Sequence, residues 1–227
     1  MTRTFVIADI HGCSRTFRRL LFDVIRLERV DTLYLLGDYI DRGPDSKGVI
    51  DIIMGLQADG YGVLPIRGNH EQMLLKVIAM PSHENLKEWL DYGGYATLNS
   101  YGVDSPDEIS LEHTGFILSM PLYRTIETHI FVHAGINCHL ENPFASAGEE
   151  AMLWSRSKVT DMSKCGGKVL VSGHTALPLT EIEKSIVSPH IRLDNGCVYG
   201  EALSGVGNLV ALELNTGELF VQEKIDV

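Results

Sequence analysis

Asp9 and His11 stand two residues apart, just beyond a run of strand-forming residues, Arg3-Thr4-Phe5-Val6-Ile7-Ala8. At that spacing both side chains can leave an extended backbone on the same side. A carboxylate oxygen beside an imidazole suits a divalent cation of intermediate hardness, such as manganese, iron or zinc. Alone the pair is a weak signal, because so short a match also occurs on ordinary surfaces. Its company strengthens it. Gly37-Asp38 follows a second strand-like run and Asn69-His70 a third, while His133 and His174 follow two more. Asp38 offers two oxygens with separate lone pairs and can bridge two cations. A lone buried histidine is more often a satisfied core residue, but five loops with ligand-type residues at five strand ends are hard to ascribe to chance.

The elements that must position these residues follow from the apolar periodicity. Ser14 can cap a helix in which Phe17, Leu20, Leu21, Val24 and Ile25 recur every three or four residues. Thr32-Leu33-Tyr34-Leu35-Leu36 reads as a buried strand, and Gly43-Pro44-Asp45-Ser46 turns into a helix with Val49, Ile50, Ile53 and Leu56 on one side. Gly62 to Ile66 forms a third strand, whose Pro65 suits an edge or a strand end. A mostly helical middle, roughly Glu71 to Ser119, is interrupted at Gly93-Gly94 and at Gly102 to Pro106. Trp89, Tyr92 and Tyr95 there read as packing of this segment, with lining of a substrate groove as the alternative. Strands resume at 129–132 and 168–171, and Asn215-Thr216-Gly217 between alternating runs reads as a terminal hairpin. The ligand loops fall at the carboxyl ends of strands, where α/β sheets place their sites. The expectation is a layered α/β fold with mixed strands, in one domain spanning residues 1–227.

The formal charge of -11 argues against affinity for nucleic acid, which depends on cationic side chains neutralising phosphates. An acidic surface also repels an anionic substrate unless bound cations reverse the local field. Cys13, Cys138, Cys165 and Cys197 are far apart and contain no CxxC pair, so they read as free thiols. No apolar run approaches the ~18 residues of a membrane helix, and the amino terminus lacks a signal-peptide pattern. A cytoplasmic monomer, with no nucleic-acid or membrane partner, is therefore expected.

These motifs together resemble the metal-dependent phosphoprotein phosphatase (serine/threonine phosphatase) family, in its bacterial and phage lambda-type branch. The resemblance runs over almost the whole chain. It is carried by AspIleHisGly at 9–12, GlyAspTyrIleAspArgGly at 37–43, ArgGlyAsnHisGlu at 67–71, HisAlaGly at 133–135, TrpSerArg at 154–156, GlyHisThr at 173–175 and AspAsnGlyCysValTyrGly at 194–200. Ala8 replaces the glycine usual before the first aspartate, and Asn195 stands where threonine is common.

The resemblance implies a calcineurin-like fold: a β-sandwich flanked by helices, with a helical insertion near the site. It implies that Asp9, His11 and Asp38 hold one metal and that Asp38, Asn69, His133 and His174 hold the other, with Asp38 as the bridge. Arg42 and Arg156 would grip the phosphoryl oxygens, and His70, steadied by Asp41, would protonate the leaving oxygen. The implied reaction is hydrolysis of a phosphoprotein or phosphopeptide by a hydroxide bridging two divalent ions, manganese first and iron or zinc as alternatives. A serine or threonine alkoxide leaves poorly, so a proton donor there is worth about 100- to 10,000-fold.

Rival readings differ in what they require. Cys13 to Arg19 matches a cysteine followed six positions later by arginine, but these residues carry helical periodicity and not a phosphate-cradling loop. Gly166-Gly167-Lys168 lacks the rest of a nucleotide-binding loop. A diadenosine polyphosphate hydrolase of the same superfamily would share the metal motifs, and Glu71, where that branch typically has aspartate, leans away from it. A non-catalytic module would show gaps among ligands, arginines or proton donor, and none is missing.

Overall fold

Alternation along short strands decides the layering. In the computed structural model, which describes residues 2–156, 161–202 (without the side chains of 201 and 202) and 205–227, strand β1 (Thr4–Ile7) sends Phe5 and Ile7 into one buried cluster and Val6 into another. A period of two puts successive residues on opposite faces, so a strand buried on both sides reads as continuously apolar. Helix α1 (Ser14–Arg19) follows and runs on as a π-helical turn over Leu20–Val24. Its N-cap position is Cys13, not Ser14; the Ser14 hydroxyl instead donates to Asp45. That carboxylate caps α2 (Ser46–Ala58) after β2 (Thr32–Leu35), and β3 (Gly62–Pro65) comes next. β1, β2 and β3 are parallel, and Pro65 ends an edge strand as its chemistry requires.

The helical middle comprises α3 (Asn69–Ala79), α4 (His83–Trp89), α5 (Tyr95–Tyr101) and α6 (Leu111–Ser119). Then come β4 (Tyr123–Thr125), β5 (His129–Val132), α7 (Glu149–Trp154), β6 (Val169–Ser172), α8 (Leu179–Ile186) and β7 (His190–Arg192). The expected terminal hairpin is β8 (Asn208–Glu213) with β9 (Glu218–Glu223). Two mixed sheets result, ordered β3-β2-β1-β8-β9 and β4-β5-β6-β7.

The sheets pack face to face through Val6, Tyr34, Val210 and Leu212 of the first and Phe131, Val171 and Ile191 of the second. Tyr34 and Phe131 stack with ring centroids 4.1 Å apart. Helices α1, α2 and α3 cover the outer face of the first sheet against Phe5, Ile7, Leu33, Leu35 and Val63. Each fully buried leucine, valine or phenylalanine contributes about 1.5–3 kcal/mol, so these two interfaces fix the mutual position of the strand ends that carry the site. No helix among the described residues is long and apolar enough to cross a membrane.

Candidate metal centre and active site

Parallel β1, β2 and β3 bring the loops after Ile7, Leu35 and Pro65 to one end of the first sheet, and parallel β5, β6 and β7 do the same for the second. Backbone strain concentrates there. Of seven described non-glycine residues with positive φ, six are Asp9, His11, Asp38, Asp41, Arg42 and His174, at φ between 25° and 71°. Such conformations persist only where surrounding contacts hold them, and they cluster at functional sites.

Asp38, buried, lies between two groups of donors. One is His11 with His70: His11 Nε2 is 3.5 Å and His70 Nε2 3.9 Å from Asp38 Oδ2. The other is His133 with His174. His133 Nε2 is 3.4 Å from Asp38 Oδ1, 2.8 Å from Asn69 Oδ1 and 3.1 Å from His174 Nδ1. The second nitrogens set the tautomers. His133 Nδ1 donates to the Leu36 carbonyl and His11 Nδ1 to that of Ile40, each at 2.8 Å, so either ring in its neutral form would turn the lone pair of Nε2 inward.

Convergent lone pairs are the chemistry of a cation site. His70 Nε2 and His174 Nε2 have no hydrogen-bond partner among the described residues, but the His174 atom that joins the donor group is Nδ1, and His70 Nε2 lies 3.9 Å from Asp38. The mixed nitrogen and oxygen donors suit manganese, iron or zinc, so the residues present fit the expected pair of divalent ions.

Asp9 is buried beside both groups but stands outside the tight one around His11, where His70 sits instead. Both Asp9 oxygens accept from the His174 amide, at 2.9 and 3.1 Å, which turns the carboxylate towards the second sheet. Arg42 Nη1 donates to His11 Nε2 at 2.8 Å. Arg156 is exposed at the rim, and its charge reaches His174.

The electrostatics of the cluster are set by burial and by the charges the donors place on one another. Burial alone would raise the Asp38 carboxyl, but His133, His70 and His11 overcome it and hold the pKa well below the usual range. Burial, with His70 and Arg42, lowers His11 far below the ordinary histidine value, and burial with His133 takes His174 to about 3. Both rings therefore stay neutral, as ligation demands. Burial opposes charge on His133 too, yet Asp38 and Asp9 raise it to about 10: the carboxylates draw positive charge to this point.

His70 Nδ1 meets Asp41 Oδ2 at 2.7 Å, and both side chains are wholly buried. Burial pushes Asp41 up to about 8, against hydrogen bonds from Thr97 and Trp89, and takes His70 down to about 4. With Asp41 pushed towards its protonated form and His70 towards neutral, a proton held by Asp41 on the Oδ2···Nδ1 line leaves the single ring proton of His70 on Nε2, the atom nearest Asp38.

Several functional neighbours escaped sequence reasoning. Asp194, two residues beyond β7, is buried; burial first, and then the Asp194 charge, raise the Asp9 carboxyl. It belongs to the AspAsnGlyCysValTyrGly stretch at 194–200, in which nothing local marks it as a neighbour of Asp9. Glu71 accepts backbone N–H bonds from Asp38, Tyr39, Ile40 and Gly68 at 2.7–3.2 Å, tying the second loop to the third. Trp89 and Thr97 donate to Asp41, so Trp89 does more than pack. Tyr92, 40% exposed, stands 6.1 Å from His70 by ring centroids and 5.8 Å from Trp154, forming an aromatic rim.

Comparison with known proteins agrees with this geometry. A symmetrical bis(5'-nucleosyl)-tetraphosphatase from Proteus mirabilis is 34% identical over 135 residues, 59% of this chain and 44% of that protein. The same name recurs in Delftia and Acidovorax relatives, and the chain spans about half or less of the length of these proteins. Serine/threonine-protein phosphatase 1 of Salmonella typhimurium is 29% identical over 214 residues, covering 88% of this chain and 89% of that one. A crystal structure provisionally described as a diadenosine tetraphosphatase superposes with a TM-score of 0.68 at 23% identity, over 98% of this chain and 94% of the other, which establishes the shared fold. The family profile of calcineurin-like phosphoesterases matches residues 2–201. With that span matched and the donor loops gathered at the strand ends, the chain belongs to the calcineurin-like phosphoesterase family.

Proposed function

We propose that the chain holds two divalent cations, manganese first among them, and hydrolyses dinucleoside polyphosphates by direct in-line attack of water at phosphorus. The observation that carries the hydrolytic reading is the position of Asp38, whose two oxygens face two separate donor groups. Asp9, His11 and Asp38 would hold one ion, and Asp38, Asn69, His133 and His174 the other. Bound there, the ions supply Lewis acidity that lowers the pKa of water and neutralises phosphoryl charge. Arg42 and Arg156 bind the phosphoryl oxygens through charge-assisted hydrogen bonds. His70 offers its Nε2 proton to the departing oxygen, and Asp41 fixes the ring.

The substrate class departs from the phosphoprotein expected of the sequence. That expectation rested on the resemblance of the motifs, with Glu71 leaning the same way; the Glu71 carboxylate is buried against four backbone amides, so its identity reflects loop support and not substrate contact. What supports a dinucleoside polyphosphate is the recurrence of symmetrical tetraphosphatases among the relatives. A second reading, a serine/threonine protein phosphatase, is favoured by the complete Asp41–His70 pair, which an alkoxide leaving group needs, and by the Salmonella relative matched over most of its length. Turnover of diadenosine tetraphosphate and of a phosphoserine peptide, each with manganese, iron and zinc separately, decides between them. A kcat/KM at least about tenfold higher on the peptide with every metal would overturn the first reading.

A further inference from the structure

We propose that Trp89 and Thr97, both on the helical insertion, are positioning residues for proton donation, holding the Asp41 carboxylate in the one orientation that aims His70 at the leaving oxygen. The inference rests on the reading of His70 as proton donor. Asp41 Oδ2 accepts from Trp89 Nε1 at 3.0 Å on the side not taken by His70, and Oδ1 accepts from Thr97 Oγ1 at 2.6 Å. The Asp41 amide is held as well, donating to Thr97 Oγ1 at 2.9 Å and to Ser46 Oγ at 3.0 Å. Thr97 spends its single hydroxyl hydrogen on Asp41, so in the 2.9 Å contact between the two hydroxyls Ser46 is the donor.

Both ends of Asp41 are thus pinned in a residue whose φ of 71° is unfavourable without such support. All five side chains, Asp41, Ser46, His70, Trp89 and Thr97, are buried with no solvent exposure, so no water competes for these bonds. The insertion is shaped to reach this point. Gly93, at φ 112°, accepts the Arg42 amide through its carbonyl, and a β-carbon there would lie 2.8 Å from the Arg42 side chain. A β-carbon on Gly94 would lie 2.5 Å from the Trp89 ring. A tryptophan that only filled space would not need to direct its N–H at a carboxylate, and phenylalanine would fill most of the same volume. The insertion therefore acts from behind the Asp41–His70 pair as well as beside the substrate. Its effect should appear only where the leaving group needs a proton.

The test uses the full chain with Trp89→Phe, Thr97→Val and Thr97→Ser, alone and combined with His70→Asn, on an alkyl phosphate and on para-nitrophenyl phosphate. Trp89→Phe and Thr97→Val should each lower kcat on the alkyl ester by about tenfold, the upper end of the loss expected for one buried hydrogen bond, with KM unchanged. The para-nitrophenyl reaction should change less than about threefold, since its leaving group needs little help. Thr97→Ser, which keeps the hydroxyl, should restore the alkyl rate, and no variant should lose further activity in the His70→Asn background. Equal losses on both substrates, or a loss that persists without His70, overturn the proposal in favour of a general packing role. The low-field proton resonance of the His70–Asp41 hydrogen bond, recorded on metal-free and zinc-loaded protein, gives a readout apart from turnover. It should shift in Trp89→Phe and Thr97→Val, and an unmoved signal in both refutes the brace. If His70→Asn fails to distinguish the two esters while the resonance does shift, the proton-donor reading falls and the brace on Asp41 stands.

Discussion

The two sheets supply their halves of the centre in different ways. Loops after β2 and β3 are braced by buried side chains: Glu71 collects four amides, the Tyr39 hydroxyl donates to the Ile66 carbonyl at 2.7 Å and accepts from the Gly37 amide, and Asp41 is held by Ser46, Trp89 and Thr97. Among the described residues, the loops after β5 and β6 have fewer such ties. His133 rests on the Leu36 carbonyl of the opposite sheet, His174 on Asp9, and Arg156 is exposed. The loops of the first sheet are therefore the more firmly oriented, whereas those of the second contribute donors on a more open side. Direction is costly to lose because a buried polar group left unpaired forfeits its full solvation.

The largest effect should come from the residue both halves share. Asp38→Asn is expected to reduce kcat by about 1,000-fold or more, as several kcal/mol of charge stabilisation are lost, and to exceed the losses in Asp9→Asn and His174→Ala. Turnover with manganese and metal content by mass spectrometry check this; equal losses at all three positions would break the idea of a bridge. Next, His70→Asn should cost about 100- to 10,000-fold on phosphoserine peptide and much less on para-nitrophenyl phosphate or a tetraphosphate anhydride. A uniform defect would place His70 among the metal ligands, the role its closeness to His11 and Asp38 would then acquire.

Glu71→Ala tests the bracing itself. Removing the acceptor of four buried amides should destabilise the fold by about 3 kcal/mol or more in urea denaturation, with Thr97→Val clearly smaller. A change below about 1 kcal/mol would mean that the loops hold without it. The smallest effect belongs to the open side. Arg156→Ala should raise KM roughly tenfold and weaken inhibition by free phosphate with little change in folding stability. Unchanged phosphate inhibition would remove Arg156 from the site.

The chain's own order of residues settled the repeated pattern of apolar run followed by ligand residue. A strand buried on both faces must be apolar throughout, and its carboxyl end is where a donor can point out of the sheet. Hence the placement of Asp38, Asn69, His70, His133 and His174 at strand ends was legible from sequence, as were the edge position of Pro65 and the terminal hairpin. Only the tertiary structure could show which donors meet. His174 and Asp9 are 165 positions apart in the chain, Trp89 and Asp41 48, and Thr97 and Asp41 56, and nothing local marks such pairs. Sequence periodicity records which face of an element is buried, not what a buried tryptophan N–H or a glutamate carboxylate touches. Those contacts exist because two sheets and an insertion close on one another, and hydrogen bonds depend on distances that only that closure sets.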